Sequence, residues 1–480
     1  MKQIDTMKTK EQSRKTGRDP FRWTGKLRNS CLAAITLLWG TSSSLQAQTT
    51  EPLHLNDAVK YALEANQNAR KAKLDIENGQ YQIDEVKARA LPQVTGNAGL
   101  TYNAILPLSA LPGELAGQPG TTLFVAFGQK WNSNFGLSVT QTLFDNSVFV
   151  GLKAAKTTAE FYRINAQLTE EQIIEQVATT YYQVLVQRQQ MSVLDSTIRN
   201  TQRMQDVLEQ LFKSGLAKKI DVDRNKVNII NLKSRKQQLT NGESLLVNQL
   251  KFYMGMPIQE SVYIPDEPLD KIKPQAVPKD EVAEVSGRTE MQVLATQQKL
   301  LSYQKESVKS TGLPTLSFNG NYAYSGLGNK FPYFKGLGSG VNWFDVASLG
   351  LNLKVPIFTG GSTKAKVKQA DIALRKLNED ISSTRLALNL AFENAKTQIN
   401  NSIITLNTQK ENVELARQVY ENTTNNYQNG LATLTDLLNA ENSLTDAQNN
   451  YSSALLSYKV AEIQLIKAQG NLRSLLNREI

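Results

Sequence analysis

The chain has 480 residues, a formal charge of +10, one cysteine and one histidine. Its basic balance is local: nine of the 54 Lys and Arg and three of the 44 Asp and Glu fall in residues 1–30, leaving 45 against 41 in the rest. That near-neutral remainder removes the main support for nucleic-acid binding, and a lone His54 and a lone Cys31 offer no material for His- or Cys-based catalysis or metal ligation.

The basic N-terminal segment is followed by an uncharged apolar run, residues 31–40, then by a polar, Ser-rich stretch and Ala47. This order predicts a secretory signal over residues 1–47 with cleavage near Ala47 or Gln48, although the bulky Leu45 leaves the exact bond open. Cys31 precedes the apolar run, unlike a lipidated cysteine, which would follow it. Beyond the signal no run of about eighteen apolar residues occurs, which argues against a membrane-spanning helix. An exported chain of this kind is periplasmic, secreted or an outer-membrane β-barrel.

Leu55-Asn56-Asp57-Ala58-Val59 opens a helix, with Ala62, Leu63 and Asn66 at helical spacing, and the pattern continues to Ala90. Leu91-Pro92 ends it, because the residue before a proline avoids the helical region. From Val94 the period changes to two: Val94, Gly96, Ala98, Leu100 and Tyr102 alternate with polar neighbours, and Leu316, Phe318, Gly320, Tyr322 and Tyr324 do the same after Leu313-Pro314. Phe135-Leu137-Val139 and Leu349-Leu351-Leu353-Val355 are two further alternating runs. Four strands of about ten residues fit tilted membrane-crossing β-strands. Within each pair the strands are joined by a long loop, near residues 103–130 and 326–342. Four strands cannot close a barrel, and an open edge in lipid leaves N–H and C=O groups unpaired, so several copies must share one barrel. Trp131, Trp343, Phe344, Tyr102 and Tyr324 are placed either as an interfacial aromatic girdle or as ordinary strand aromatics.

Each strand pair leads into a very long helix. Ile174, Val177, Tyr181, Val184, Leu194, Ile198, Leu208 and Leu211 recur at three and four in the first, and Leu388, Phe392, Ala395, Ile399, Ile403 and Leu406 in the second. About seventy residues at ~1.5 Å each make a rod of roughly 100 Å. Gly215 and Gly430 reverse the chain, and return helices run on to Gly255 and Gly470. The whole unit 358–470 is thus a repeat of an earlier one: Phe358 falls on Phe144, Gly430-Leu431-Ala432 on Gly215-Leu216-Ala217, Asp436 on Asp221, and Gly470 on Gly255. The division that follows is a first repeat over 48–255, a proline-rich linker over 256–281 and a second repeat over 282–480. Gly336-Leu337-Gly338-Ser339-Gly340 opens no helix and precedes no Gly-Lys-Ser/Thr, so it reads as a strand-connecting loop and not as a phosphate cradle.

In this order and in two copies, the opening Leu55 to Asn66, the Leu-Pro junctions, Arg288-Thr289-Glu290-Met291, and Tyr427-Gln428-Asn429-Gly430 with Asp436 and Ala440 resemble the TolC family of bacterial outer-membrane efflux channels. The resemblance covers everything after the signal. It implies an α+β membrane protein in which three protomers share a twelve-stranded β-barrel continued by a long α-helical periplasmic barrel. The implied function is a passive duct, not an enzyme, with no cofactor and no metal site. The implied partners are a periplasmic adaptor protein and an inner-membrane pump, besides outer-membrane lipid. Matched residue by residue, Tyr427 and Asp221 fall where the best-known member links neighbouring hairpins at a closed tip, and Asp436 falls on one acidic ring of the constriction. The second ring position is Asn439, and a further arginine position is Ala432, so the resemblance implies a more loosely tied gate. Asp221 and Asp436 also read as helix caps, since each follows a turn near a helix N-terminus, and one residue can do both. Gly215, Leu216, Gly430 and Leu431 are the expected adaptor-contact tips. The competing reading, an exported structural coiled coil, would not need the four strands.

Overall fold

Two prolines decide where helix gives way to strand. Pro92 follows the helix that ends at Ala88, and Pro314 follows the helix that ends at Ser310, with strands starting at Gln93 and Thr315. The structure, a computed structural model, describes residues 52–266, 278, 282, 284–333 and 340–476. The signal with Cys31, most of the linker and residues 336–339 of the glycine-rich run lie outside the described residues.

The helices are α1 (Leu55–Ala65), α2 (Gln67–Ala88), α3 (Asn146–Lys213), α4 (Lys219–Met254), α5 (Thr289–Ser310), α6 (Ser362–Gln428) and α7 (Leu434–Ala468). The strands are β1 (Gln93–Tyr102), β2 (Leu108–Pro112), β3 (Thr122–Ala126), β4 (Trp131–Phe144), β5 (Thr315–Gly328) and β6 (Val341–Lys354). Helices α3 and α6 have 68 and 67 residues, so each is about 100 Å long. Among the described residues no helix is long and apolar enough to cross a membrane.

Three expectations are corrected. The opening helix is broken at Asn66, whose backbone is extended (φ −60°, ψ 133°). Its side-chain oxygen accepts from the Asn68 and Ala69 N–H groups and so starts α2, while its amide donates to the Tyr253 carbonyl at 2.7 Å. The loop 103–130 contains a hairpin, β2 paired with β3; Pro112 ends β2 opposite Thr122, a place where a proline costs a strand little. Finally, β4, β5 and β6 each have 14 residues and not ten, because alternation continues through Asn and Ser positions such as Asn132 and Asn134 that carry no apolar signal.

The sheet has the order β1-β4-β5-β6, antiparallel throughout. Fourteen residues span ~46 Å, or ~35 Å when tilted by ~40°, enough for a hydrocarbon layer of ~30 Å. The main core lies away from both sheet and turns. There α1 (Val59, Ala62), α3 (Ile174, Tyr181), α4 (Met254), α6 (Phe392, Ile399) and α7 (Leu455, Ile463) pack together. The two repeats anchor at this level in parallel ways. Gly255 lies so close to Ala65 and Asn66 that a Cβ would sit 2.6 Å from the Ala65 oxygen, and Gly470 lies beside Arg288, which donates to the Ala468 carbonyl at 2.8 Å. The start of the proline-rich linker is itself packed: Ile264 is fully buried and Leu53 N–H donates to the Tyr263 carbonyl at 2.8 Å.

Candidate functional site

Both turns are built by glycine. Gly215 (φ 75°) and Gly430 (φ 72°) take the left-handed conformation that other residues resist. After each, the next N–H reaches back five residues, Leu216 to the Leu211 carbonyl and Leu431 to the Asn426 carbonyl, both at 2.8 Å. These bonds satisfy the helix-end carbonyls and lift Leu216 and Leu431 out of their turns: each is 78% exposed. Two leucines therefore stand in solvent at equivalent points of the two hairpins.

The aspartates after the turns differ. Asp436 closes a capping box, accepting from the Thr433 N–H at 2.9 Å and the Thr433 hydroxyl at 2.6 Å. The Thr433 hydroxyl first, and its backbone N–H second, hold the exposed Asp436 carboxyl below its usual range. Asp221 occupies the corresponding first turn of α4, where the residue before the helix is Lys218 and no side-chain cap forms. Asp221 thus remains available to face Tyr427. The Tyr427 ring packs on Leu208, Leu434 and Leu438, and its phenol is pushed up by burial first and by the Asp221 charge second. Among the described residues no hydrogen bond joins the two. Nearest the turns, the hairpins are linked by Arg224 of α4, which donates to the Thr435 hydroxyl of α7 at 2.6 Å. Arg224 was not legible as a linker from sequence, since its partner is on the other hairpin and only the packing of both α4 and α7 on α3 brings them together.

At the other end of the molecule the register sorts the sheet into two faces, because directly paired residues share a face. The row Gly96, Leu137, Tyr322, Ala347 and the row Val94, Val139, Gly320, Leu349 lie on one face. Thr95, Ser138, Asn321 and Ser348 lie on the other. Leu349, Leu351 and Leu353 are 81%, 69% and 63% exposed on the apolar face. Tyr102, Trp131, Tyr324 and Trp343 share that face and touch in pairs: Tyr102 and Trp131 at 4.7 Å, Tyr324 and Trp343 stacked at 4.9 Å. Trp343 covers Gly326, where a Cβ would meet the indole at 2.8 Å. Phe344 is one residue on, and so projects from the polar face.

A model of the family described as outer membrane efflux protein matches residues 58–255 and 284–471. Outer membrane protein TolC of Salmonella enteritidis is 23% identical over 446 residues, covering 91% of this chain and 86% of the relative. The outer membrane protein VceC of Vibrio cholerae has the same fold, with a TM-score of 0.65 at 15% identity, covering 87% of this chain and 96% of that one. So has the Neisseria gonorrhoeae MtrE outer membrane channel in its open state, with a TM-score of 0.66 at 19% identity, covering 87% and 89%.

Proposed function

Because the chain belongs to the outer membrane efflux protein family, we propose that it is the outer-membrane channel of a tripartite efflux or secretion system, a duct from the periplasm to the exterior. The observation that carries this reading is the sheet: four membrane-length strands, one apolar face left in solvent, one polar face, and β1 and β6 as open edges. In lipid each open edge costs several kcal/mol per unpaired group, so the edge of one copy pairs with the next. Three copies give twelve strands and complete the barrel, with the apolar face to lipid and the Asn and Ser face lining water. Exposed Leu386, Leu390 and Leu415 on α6 are apolar surface of the kind that neighbouring copies would cover.

Tyr102, Trp131, Tyr324 and Trp343 form the aromatic girdle of this barrel, whereas Phe344 belongs to its water-facing side. The two repeats, 48–255 and 282–480, joined by the linker 256–281, supply two hairpins per protomer to the periplasmic helical barrel, after removal of a signal over 1–47. The duct performs no chemistry of its own; an inner-membrane pump drives it through a periplasmic adaptor that docks on Gly215-Leu216 and Gly430-Leu431. Tyr427 and Asp221 tie neighbouring hairpins at the gate, and Asp436 adds a ring of carboxylates at its mouth while capping α7. Light scattering of the detergent-purified protein tests the assembly: a mass of three protomers and conductance in planar bilayers are expected, and a stable, non-conducting monomer would overturn it.

A further inference from the structure

A layer of polar side chains separates the hairpin tips from the rest of the helical packing. Along α3 the apolar cluster of Leu194, Ile198 and Leu232 is followed by Thr201 and Gln205, and then by the cluster of Leu208, Leu434 and Leu438. Opposite Thr201, on α7, lies Glu441, only 7% exposed, and neighbouring copies can only bury it further. Both of its carboxyl oxygens are 3.1 Å from the Thr201 hydroxyl oxygen. That hydroxyl has one proton, and it also points at the Thr197 carbonyl one turn back, at the shorter distance of 2.8 Å. A carboxylate can only accept. An ionised Glu441 must compete with the Thr197 carbonyl for that single proton, whereas a protonated Glu441 donates its own to the Thr201 oxygen and leaves the Thr201 proton to Thr197.

The amide and hydroxyl donors beside Glu441 on α4 and α7 are engaged elsewhere. Asn225 of α4, fully buried, gives its two amide protons to the Thr201 carbonyl at 3.0 Å and the Gln205 side-chain oxygen at 2.9 Å. Thr445, on the same helix, donates to the Glu441 main-chain carbonyl at 2.9 Å. From α6 the titratable group that faces it is Tyr420, whose phenol is pushed up by burial first and by the Glu441 charge second. The cations flanking these residues in sequence, Arg199 and Arg203 on α3, Arg224 and Lys226 on α4, and Arg417 on α6, are exposed. On α7 no charged side chain lies within one turn of Glu441.

We infer that Glu441 is a proton-binding site that couples the hairpin tips to pH: protonated, it donates to Thr201 and holds α7 against α3, and once the proton has left to solvent the two helices loosen. Burial pushes this carboxyl up to about 7, opposed only by the Thr201 hydroxyl. Since the folded value lies above the ordinary one of 4.5, the contact is complete below about 4.5 and is lost as pH rises through about 7. Between roughly pH 6 and roughly pH 8 the protonated share falls from about nine-tenths to about one-tenth. Its consequence for conductance rests on the reading of the tip as a gate.

Infrared difference spectra of the full-length protein in detergent, taken across that range, read the proton directly. A carbonyl band of a protonated carboxylic acid is expected to disappear with rising pH, and to be missing in Glu441→Gln. In parallel, nitroxides at Gln202→Cys and Asn442→Cys report the α3 to α7 separation by pulsed spin resonance. This separation should widen with pH in the parent and stay constant in Glu441→Gln, whose amide still donates to Thr201. Absence of the band throughout, or a separation that widens equally in the variant, would overturn the inference. Widening that depends on Glu441 without any change in bilayer conductance would sustain the proton site and remove the gate reading instead.

Discussion

Replacing both tip leucines by aspartate, Leu216→Asp with Leu431→Asp, separates docking from folding. Each leucine is 78% exposed in the protomer. Fully burying a leucine side chain contributes about 1.5 to 3 kcal/mol, so covering the exposed three-quarters contributes about 1 to 2 kcal/mol each and about 2 to 4 kcal/mol for the pair. At tenfold per 1.4 kcal/mol, the adaptor should bind the double variant roughly 30- to 700-fold more weakly, before any added cost of desolvating the new carboxylates. Folding should be almost untouched, since exposed substitutions of this kind stay within about 0.5 kcal/mol, and neither turn depends on its leucine: Gly215 and Gly430 set the backbone. The assay is surface-based binding of the purified adaptor to the detergent-solubilised channel, with thermal unfolding followed by circular dichroism on the same samples. Binding within threefold of the parent, at unchanged thermal stability, would refute the placement of the contact on these leucines.

Three further outcomes follow from the geometry. Gly430→Ala and Gly255→Ala impose the same left-handed strain, about 1 to 2 kcal/mol, yet only the Gly255 Cβ would stand 2.6 Å from a backbone oxygen while the Gly430 Cβ meets nothing within 4 Å; chemical denaturation should show Gly255→Ala worse by about 1 to 3 kcal/mol, and equal losses would contradict the packing. Because Asp436 has a lowered carboxyl value, its capping box is present above the ordinary carboxylate range and lost as pH falls through the folded value, so the protection of the Thr433 amide, which donates to the Asp436 carboxylate, should be lost only in acid, and its loss near neutral pH would count against it. Tyr427→Phe combined with Asp221→Asn should raise conductance in planar bilayers; unchanged conductance would leave Tyr427 as packing for Leu208, Leu434 and Leu438.

Much of this architecture was legible because it is written in local, periodic signals. Helix length, the change of period after Pro92 and Pro314, and the glycines at 215, 255, 430 and 470 depend on backbone sterics and on which residues repeat every 2 or 3.6 positions, and those are properties of the chain before it folds. The twofold repeat made each signal count twice. Asn66 is the instructive exception: it lies at helical spacing, yet its side chain ends one helix and starts the next because the Tyr253 carbonyl is there to receive its amide. No local pattern carries that information.

The site depended on tertiary structure for the same reason. Sequence placed Asp221 and Asp436 as equivalents, but Thr433 engages Asp436 in a capping box while Lys218 provides no such partner to Asp221. Adjacent Trp343 and Phe344 look alike in sequence, and the register sends them to opposite faces of the sheet. Arg224 with Thr435, and Glu441 with Thr201, join residues more than two hundred positions apart. Whether a carboxyl is a solvated cap or a buried acid is set by how many donors surround it and how much water is excluded, and both are decided only when α3, α4, α6 and α7 close on one another.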